Sequence, residues 1–268
     1  MTAMTTGTPT THLRDFRVLT FDVVGTLIDF ETAITGGLER IGAAAGVTVD
    51  PETALSHYRA ARYEAEAGLF PDDLARCYTR IAPKLGLPDT PENADAMVAA
   101  LGTAAPFADS VDALAALGRR FRLIAMTNAR RWAFDLYAAR LGNPFDASFT
   151  VDETGCEKPD PAYFGQVIDH VAGLGHGPGE ILHVAQSQYH DIGPARRLGL
   201  TSAWIERRAG RAGYGGTIAP EQFTEPEHHF HSLGALAAAV EASFDATRAE
   251  ATQDRPPRCT NKEQGATQ

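Results

Sequence analysis

The sequence predicts an α/β protein, a doubly wound parallel sheet interrupted by an inserted all-helical module. Three observations predict it. Beyond Pro106, short apolar runs alternate with helical segments. That alternation is the signature of strands that pair in parallel with helices on both faces. Between Glu31 and about Leu101 the chain is Ala-rich and charge-studded, with helical periodicity and little strand signal, so it adds nothing to a sheet. The apolar runs end in polar residues, and an open parallel sheet builds its site outside the carboxyl ends of its strands.

Arg17-Val-Leu-Thr-Phe-Asp22 reads as a buried strand ending in an acid, and Val23-Val-Gly-Thr26 turns away from it. The helical block follows. Asp50-Pro51-Glu52 is a helix start with Pro at the first helical position, and Pro71-Asp72-Asp73 is another. Asp109 to Arg119 is a helix capped by Asp109 or Ser110. Phe121 to Met126 is a strand that delivers Thr127 and Asn128, and Ala129 to Leu141 is helical. A short strand from Ala147 to Val151 leads to Lys158, and Pro161 to Ala172 is helical. Ile181 to Val184 leads to Gln186, Ser187, Gln188 and Asp191, Ile192 to Leu198 is helical, and Ser202 to Ile205 is a further strand. Ser232 to about Thr247 closes the core as a helix. The domain plan is a flexible leader over 1–14, a core from 15–30 and 105–245, a helical cap over 31–104, and a disordered polar tail over 246–268.

The length of 268 residues suits one core plus a smaller inserted domain. A net charge of −10 argues against nucleic acid as partner, because phosphate binding needs a basic footprint. It leaves a small anionic substrate open, since that answers to local charge. Cys77, Cys156 and Cys259 lie far apart with no CxxC pair, which fits a reducing cytoplasm rather than a disulfide framework or zinc site. No stretch has the ~20 apolar residues of a membrane span, so no membrane partner is expected. His228, His229 and His231 cluster late in the chain; their spacing is poor for one metal face and reads as a solvated strand edge. Arg207 to Gly216 reads as a basic surface loop, with a lid near the site as the other reading.

The strand ends gather a carboxylate (Asp22), a hydroxyl (Thr127), an amide (Asn128), an ammonium (Lys158) and a second carboxylate (Asp191). The order and content of these elements resemble the haloacid dehalogenase (HAD) superfamily. Asp22-Val-Val-Gly-Thr26-Leu is similar to its nucleophile loop, Thr127-Asn128 to its hydroxyl motif, Lys158-Pro159 to its lysine motif, and Gln186 to Asp191 to its acidic motif. The resemblance spans roughly residues 17 to 204 and implies a HAD-like core with a helical cap. It implies Asp22 as a nucleophile that forms a covalent ester, and Lys158 as the cation that holds it ionised. Asp191 would orient Lys158 or Ser187, or activate water. Gly25 permits the tight turn, and Thr26 hydrogen-bonds across it. Thr26, Thr127, Asn128, Ser187 and, from the cap, Arg59 are the substrate-binding candidates. Tyr58-Arg59 resembles the aromatic–Arg pair of dehalogenase caps, and Arg62 lies one helical step away. As plain structural alternatives, Asp22 is a turn residue, Lys158 a surface charge and Asp191 a helix cap.

Phosphate-transferring members carry a second Asp two residues after the nucleophile, where this chain has Val24. They also carry an acid that helps bind magnesium, where this chain has Gln186. The resemblance therefore favours the 2-haloacid dehalogenase-like branch, in which halide leaves unprotonated. It implies no cofactor and no metal, with magnesium entering only for a phosphate ester. That branch has Tyr where this chain has Val24, Ser and Asn where it has Gln186 and Gln188, and Tyr where it has Phe164. Another small acid, including one opened at a C–N bond, a phosphate ester, and a non-catalytic anion-binding module are the alternatives. A homodimer is left open.

Overall fold

A computed structural model describes residues 12–253. Six strands, β1 (Val18–Asp22), β2 (Arg122–Met126), β3 (Ala147–Phe149), β4 (Ile181–Ala185), β5 (Thr201–Ile205) and β6 (His228–Phe230), form one parallel sheet in the order β3-β2-β1-β4-β5-β6. Alternation within each strand covers both faces. Leu19 and Phe21 of β1, Leu123 and Ala125 of β2, and Leu182 and Val184 of β4 join the larger core cluster. Val18, Ile124, Met126 and Ile181 face the other way, against Phe164, Val167 and Val171. A side chain of this size contributes about 1.5–3 kcal/mol when fully buried, so a slip of one residue would cost both layers.

The chain moves from β1 outward to β2 and β3, then returns to β4 and proceeds to β5 and β6 on the other side. The loops leaving β1 and β4 diverge at this switch point and leave a crevice above Asp22. The residues between β1 and β2 fold as α1 (Phe30–Ala45), α2 (Pro51–Arg62), α3 (Leu74–Ile81), α4 (Pro91–Gly102) and α5 (Ser110–Leu117). Asp29 and Asp50 cap α1 and α2 by accepting from Thr32 N and Thr53 N, so the predicted start at Asp50-Pro51 is realised. The way out of the core and the way back are tied together: Asp29 N donates to Ala105 O (2.8 Å) and Phe107 N to Leu27 O (3.0 Å). The segment from Phe30 to Gly102 therefore leaves and rejoins the core at one hydrogen-bonded neck.

Helices α6 (Arg131–Arg140), α7 (Val151–Thr154), α8 (Pro161–Gly173), α9 (Gly193–Arg197) and α10 (Leu233–Gln253) complete the core. Two differences from expectation concern length. Strand β3 stops at Phe149, and α7 follows at once, because Thr150 caps it with Glu153 reaching back. Helix α10 runs to Gln253, into the stretch expected as tail; its Ala-rich sequence is a good helix former despite its polarity. Residues 1–11 of the expected leader and 254–268 of the expected tail lie outside the described residues. Among the described residues no helix is long and apolar enough to cross a membrane.

Candidate active site

Asp22 ends β1 and is 7% exposed. The turn after it is closed by Leu27 N and Ile28 N on Val23 O and by Gly25 N on Ile28 O. Gly25 has φ +94°, and a Cβ there would come within 3.1 Å of the Phe30 ring. Only glycine relieves both demands. The turn brings Thr26 back, so that its Oγ1 donates to Asp22 Oδ2 (2.6 Å) and accepts from Gln186 N (2.8 Å). Thr26 is fully buried and does not line the cavity. It positions Asp22 and does not line the cavity, which differs from the substrate-binding place expected of it from sequence.

Lys158 Nζ lies 2.9 Å from Asp22 Oδ1, 2.7 Å from Asp191 Oδ1 and 2.9 Å from Met126 O. An ammonium has three N–H donors, so all of them are spent. The Lys158 backbone is itself held by Asn128, whose Oδ1 accepts from Lys158 N (2.7 Å) and whose Nδ2 donates to Lys158 O (2.8 Å). The Asn128 amide, expected to bind substrate, is thus mostly occupied in fixing the lysine. Tyr163 sits beneath, its single O–H shared between Phe149 O (2.7 Å) and Thr127 O (3.0 Å), and so ties the ends of β2 and β3.

Asp191 is fully buried on a π-helical turn over Gln188–Ile192, capped by Ser187. Its Oδ1 also meets His183 Nε2 (3.1 Å), whose Nδ1 lies 2.9 Å from Thr20 Oγ1. Its Oδ2 is buried with no hydrogen-bond partner among the described residues. Burial would raise the Asp191 carboxyl, but Lys158 and His183 outweigh it and hold the pKa down at about 2. Burial pushes Asp22 up, and the pull of Lys158 and Thr26 offsets this only in part, with Asp191 adding repulsion. Burial disfavours the Lys158 ammonium, but Asp191 and Asp22 outweigh it and keep its pKa above the ordinary value. Asp191 is therefore the better stabilised of the two carboxylates around Lys158, and Asp22 the less stabilised.

A cavity of about 100 Å³ opens over Asp22. This is far below the roughly 300–1,000 Å³ of drug-sized sites, so the space suits a molecule of few atoms. Val24, Phe30, Tyr58 and Phe70 give it apolar walls, and Thr127, Asn128, Lys158, Ser187 and Asp191 supply its polar floor. Thr127 Oγ1 accepts from Ala129 N (3.2 Å), which leaves its hydroxyl proton to give. Ser187 is turned to His190, accepting from its backbone N (3.0 Å) and pairing with Nδ1 (3.1 Å). His190 Nε2 lies 3.0 Å from Tyr63 OH on the roof, and burial lowers its pKa to about 4, so the ring is neutral near pH 7.

The roof differs most from expectation. Arg59 does not line the cavity; its guanidinium donates to Gly215 O and leans to Ser56 Oγ (3.5 Å). Arg62 lines it instead. Arg62 Nη1 is used by Gly68 O (2.9 Å) and Asp73 Oδ2 (3.0 Å), while Nε and Nη2 make no hydrogen bond among the described residues. The loop after β5 also reaches the site through Gly216 and Thr217. Arg208 anchors that loop to Glu31 of α1 and Glu52 of α2, and Gly216 N donates to Glu31 Oε1 (2.8 Å). The lid reading of this loop, and not the surface reading, matches its position. His183 is the functional neighbour that sequence reasoning missed.

A parallel sheet carrying a buried carboxylate–ammonium–carboxylate cluster at its carboxyl edge defines an α/β protein with an enzyme-like centre. Residues 16–199, well over half the chain, match the model of the haloacid dehalogenase-like hydrolases, and the chain belongs to that family. The fold is similar to that of the L-2-haloacid dehalogenase PA0810 (TM-score 0.68, 22% identity, 85% of this chain and 99% of that one). It is also similar to the L-2-haloacid dehalogenase from Xanthobacter autotrophicus with chloropropionic acid covalently bound (TM-score 0.66, 22% identity, 84% and 98%). A third similar structure is YfnB from Bacillus subtilis, bound to magnesium (TM-score 0.66, 17% identity, 84% and 99%). A search of curated proteins returns no match. At these identities the likeness establishes the fold, and the chemistry must be argued from the site.

Proposed function

We propose that the chain hydrolyses a small carboxylic acid through attack by Asp22, and that the reaction is hydrolytic dehalogenation of a 2-haloacid. The observation that carries the reading is Val24, an apolar side chain lining the cavity two residues after Asp22. A phosphate ester needs a proton donor there for its leaving oxygen; a halide leaves as a stable anion. The small, apolar-walled cavity over Asp22 supports the same reading.

Magnesium fits this donor set poorly. It demands octahedral oxygen ligands at about 2.0–2.1 Å. Asp22 and Asp191 already share Lys158, and residue 186 offers a neutral amide. The residues present therefore do not make a magnesium site.

In the proposed sequence an Asp22 oxygen attacks the α-carbon, and the carbon–halogen bond breaks with its electron pair going to halide. The substrate carboxylate is met by the unspent donors of Arg62 and by the Thr127 hydroxyl. Water then adds to the Asp22 ester carbonyl, hydrogen-bonded to the unpartnered Oδ2 of Asp191. The oxyanion that forms is stabilised by Lys158 Nζ. Collapse releases the hydroxy acid and a proton, and leaves one water oxygen in Asp22. The Xanthobacter neighbour holds chloropropionic acid covalently, which supports an ester intermediate on this fold. The test is a parallel screen of small 2-haloacids and phosphate esters in EDTA, reading halide and phosphate release. Halide release is expected; phosphate release alone, restored by magnesium, would overturn the reading.

A further inference from the structure

Away from the Asp22 cavity, the β6 edge of the sheet brings together two imidazoles and a carboxylate. Parallel register pairs Trp204 with His229 and Ile205 with Phe230, and Glu206 N donates to Phe230 O (2.8 Å). Glu206 is therefore carried alongside the end of β6. Successive strand residues point to opposite faces, so His229 and His231 fall on the same side. His228 falls on the other, edge-on to Phe16. The spacing that reads from sequence as poor for one metal face therefore puts two of the three imidazoles, His229 and His231, on one face of the strand edge.

The result is compact. His229 Nε2 lies 2.8 Å and His231 Nδ1 3.3 Å from Glu206 Oε2, and one ligand atom from each residue falls within 4.8 Å of the others. Ligands about 2.0–2.2 Å from a tetrahedral ion are about 3.3 Å apart, so small side-chain rotations close the set. Trp204 stacks on the His229 ring at 4.5 Å and 25°, which restricts that ring before any ligand arrives. Two neutral nitrogens and one carboxylate suit a borderline divalent transition metal better than magnesium or calcium, which prefer oxygen.

We infer that Glu206, His229 and His231 form a surface site for zinc or a similar divalent transition-metal ion, bound by three protein ligands with the remaining positions left to water. The site ties β5 to the short edge strand β6. It does not depend on what Asp22 does.

The test uses the full chain stripped with chelator and then dialysed free of it. Zinc chloride is titrated by calorimetry into wild type and into Glu206→Gln, His229→Gln and His231→Gln. All three side chains sit on the outer rim of the sheet, with 28%, 42% and 71% exposure, so the variants should fold. One equivalent should bind to wild type, and each variant should weaken binding by at least about tenfold. Cys259→Ser should bind as wild type. Trp132 and Trp204 are the two tryptophans of the chain. In a Trp132→Phe background, nickel should therefore quench the remaining fluorescence at the same stoichiometry. Wild type without saturable binding, half an equivalent per chain, or unchanged binding in the His229→Gln, His231→Gln double variant would each overturn the site.

Discussion

Replacing Arg62 with Ala tests which cation meets the substrate. Arg62 lines the cavity with Nε and Nη2 unspent, whereas Arg59 is bonded to the carbonyl of Gly215 and does not line it. Lys158 cannot take the role, because its three N–H groups go to Asp22, Asp191 and Met126 O. A charge-assisted hydrogen bond to a partly buried carboxylate contributes about 1.5–3 kcal/mol. At about 1.4 kcal/mol per decade, Arg62→Ala should lower kcat/KM by roughly tenfold to a hundredfold. Arg62→Lys should recover only part, since a point charge lacks the planar fork. The fold should survive, because Asp73 keeps two bonds of 2.7 Å from Arg76. Arg59→Ala, which frees only Gly215 O and Ser56, should change kcat/KM by less than about threefold, within the range of a surface substitution. The assay is steady-state halide release from one 2-haloacid, with a thermal melt on each variant. A larger loss for Arg59→Ala than for Arg62→Ala, with all variants folded, would refute the placement of the anion site.

The other predictions follow from the same cluster. Asp22→Asn should lower turnover at least about a thousandfold while inhibitory binding of the substrate survives, as measured by single-turnover kinetics and competition. Hydrolysis should persist in EDTA, and Val24→Asp with Gln186→Asp should introduce magnesium-dependent phosphate release, checked on a generic phosphate ester. Stability should fall as the pH drops from 6.5 toward 4, because His190, held neutral with a pKa of about 4, binds fewer protons folded than unfolded in that window. The His190 share of the loss should reach at most about 3 kcal/mol by denaturant titration, and His190→Gln should remove that share while leaving the one from His228, whose pKa burial also lowers. Asp22, raised by burial, works in the opposite sense, so the comparison belongs in an Asp22→Asn background. Asp191, held at about 2, adds its own loss only below its ordinary 3.8.

Much of the core was legible because its signals are local. A five-residue, largely apolar strand ending in Asp22, with glycine three residues on, needs only strand period and turn chemistry to be read. Lys158 and Asp191 were legible as the polar ends of later segments, though nothing local says that they share a charge. The roof was less legible for a specific reason. Tyr58 lines the cavity, but its neighbour on the same helical face is i+4, Arg62, not i+1, Arg59, which points about 100° away. His183 lies inside an apolar run, where a histidine gives no sign of a partner eight residues ahead. The loop reaching Gly216 and Thr217 is placed by Arg208 pairing with Glu31 and Glu52, across more than 150 residues of sequence. Strand β6, three residues long, offers too short a period to register as more than an edge.

Whether Asp22 carries the substrate as an ester is read directly by isotope transfer. Excess protein is mixed with 2-chloropropionate in ¹⁸O-water for a single turnover, then digested and analysed by mass spectrometry. One heavy oxygen is expected in the peptide containing Asp22 and none in the first hydroxy acid released. Heavy oxygen in that product, with Asp22 unlabelled, would mean that water attacks the substrate itself and that Asp22 forms no ester.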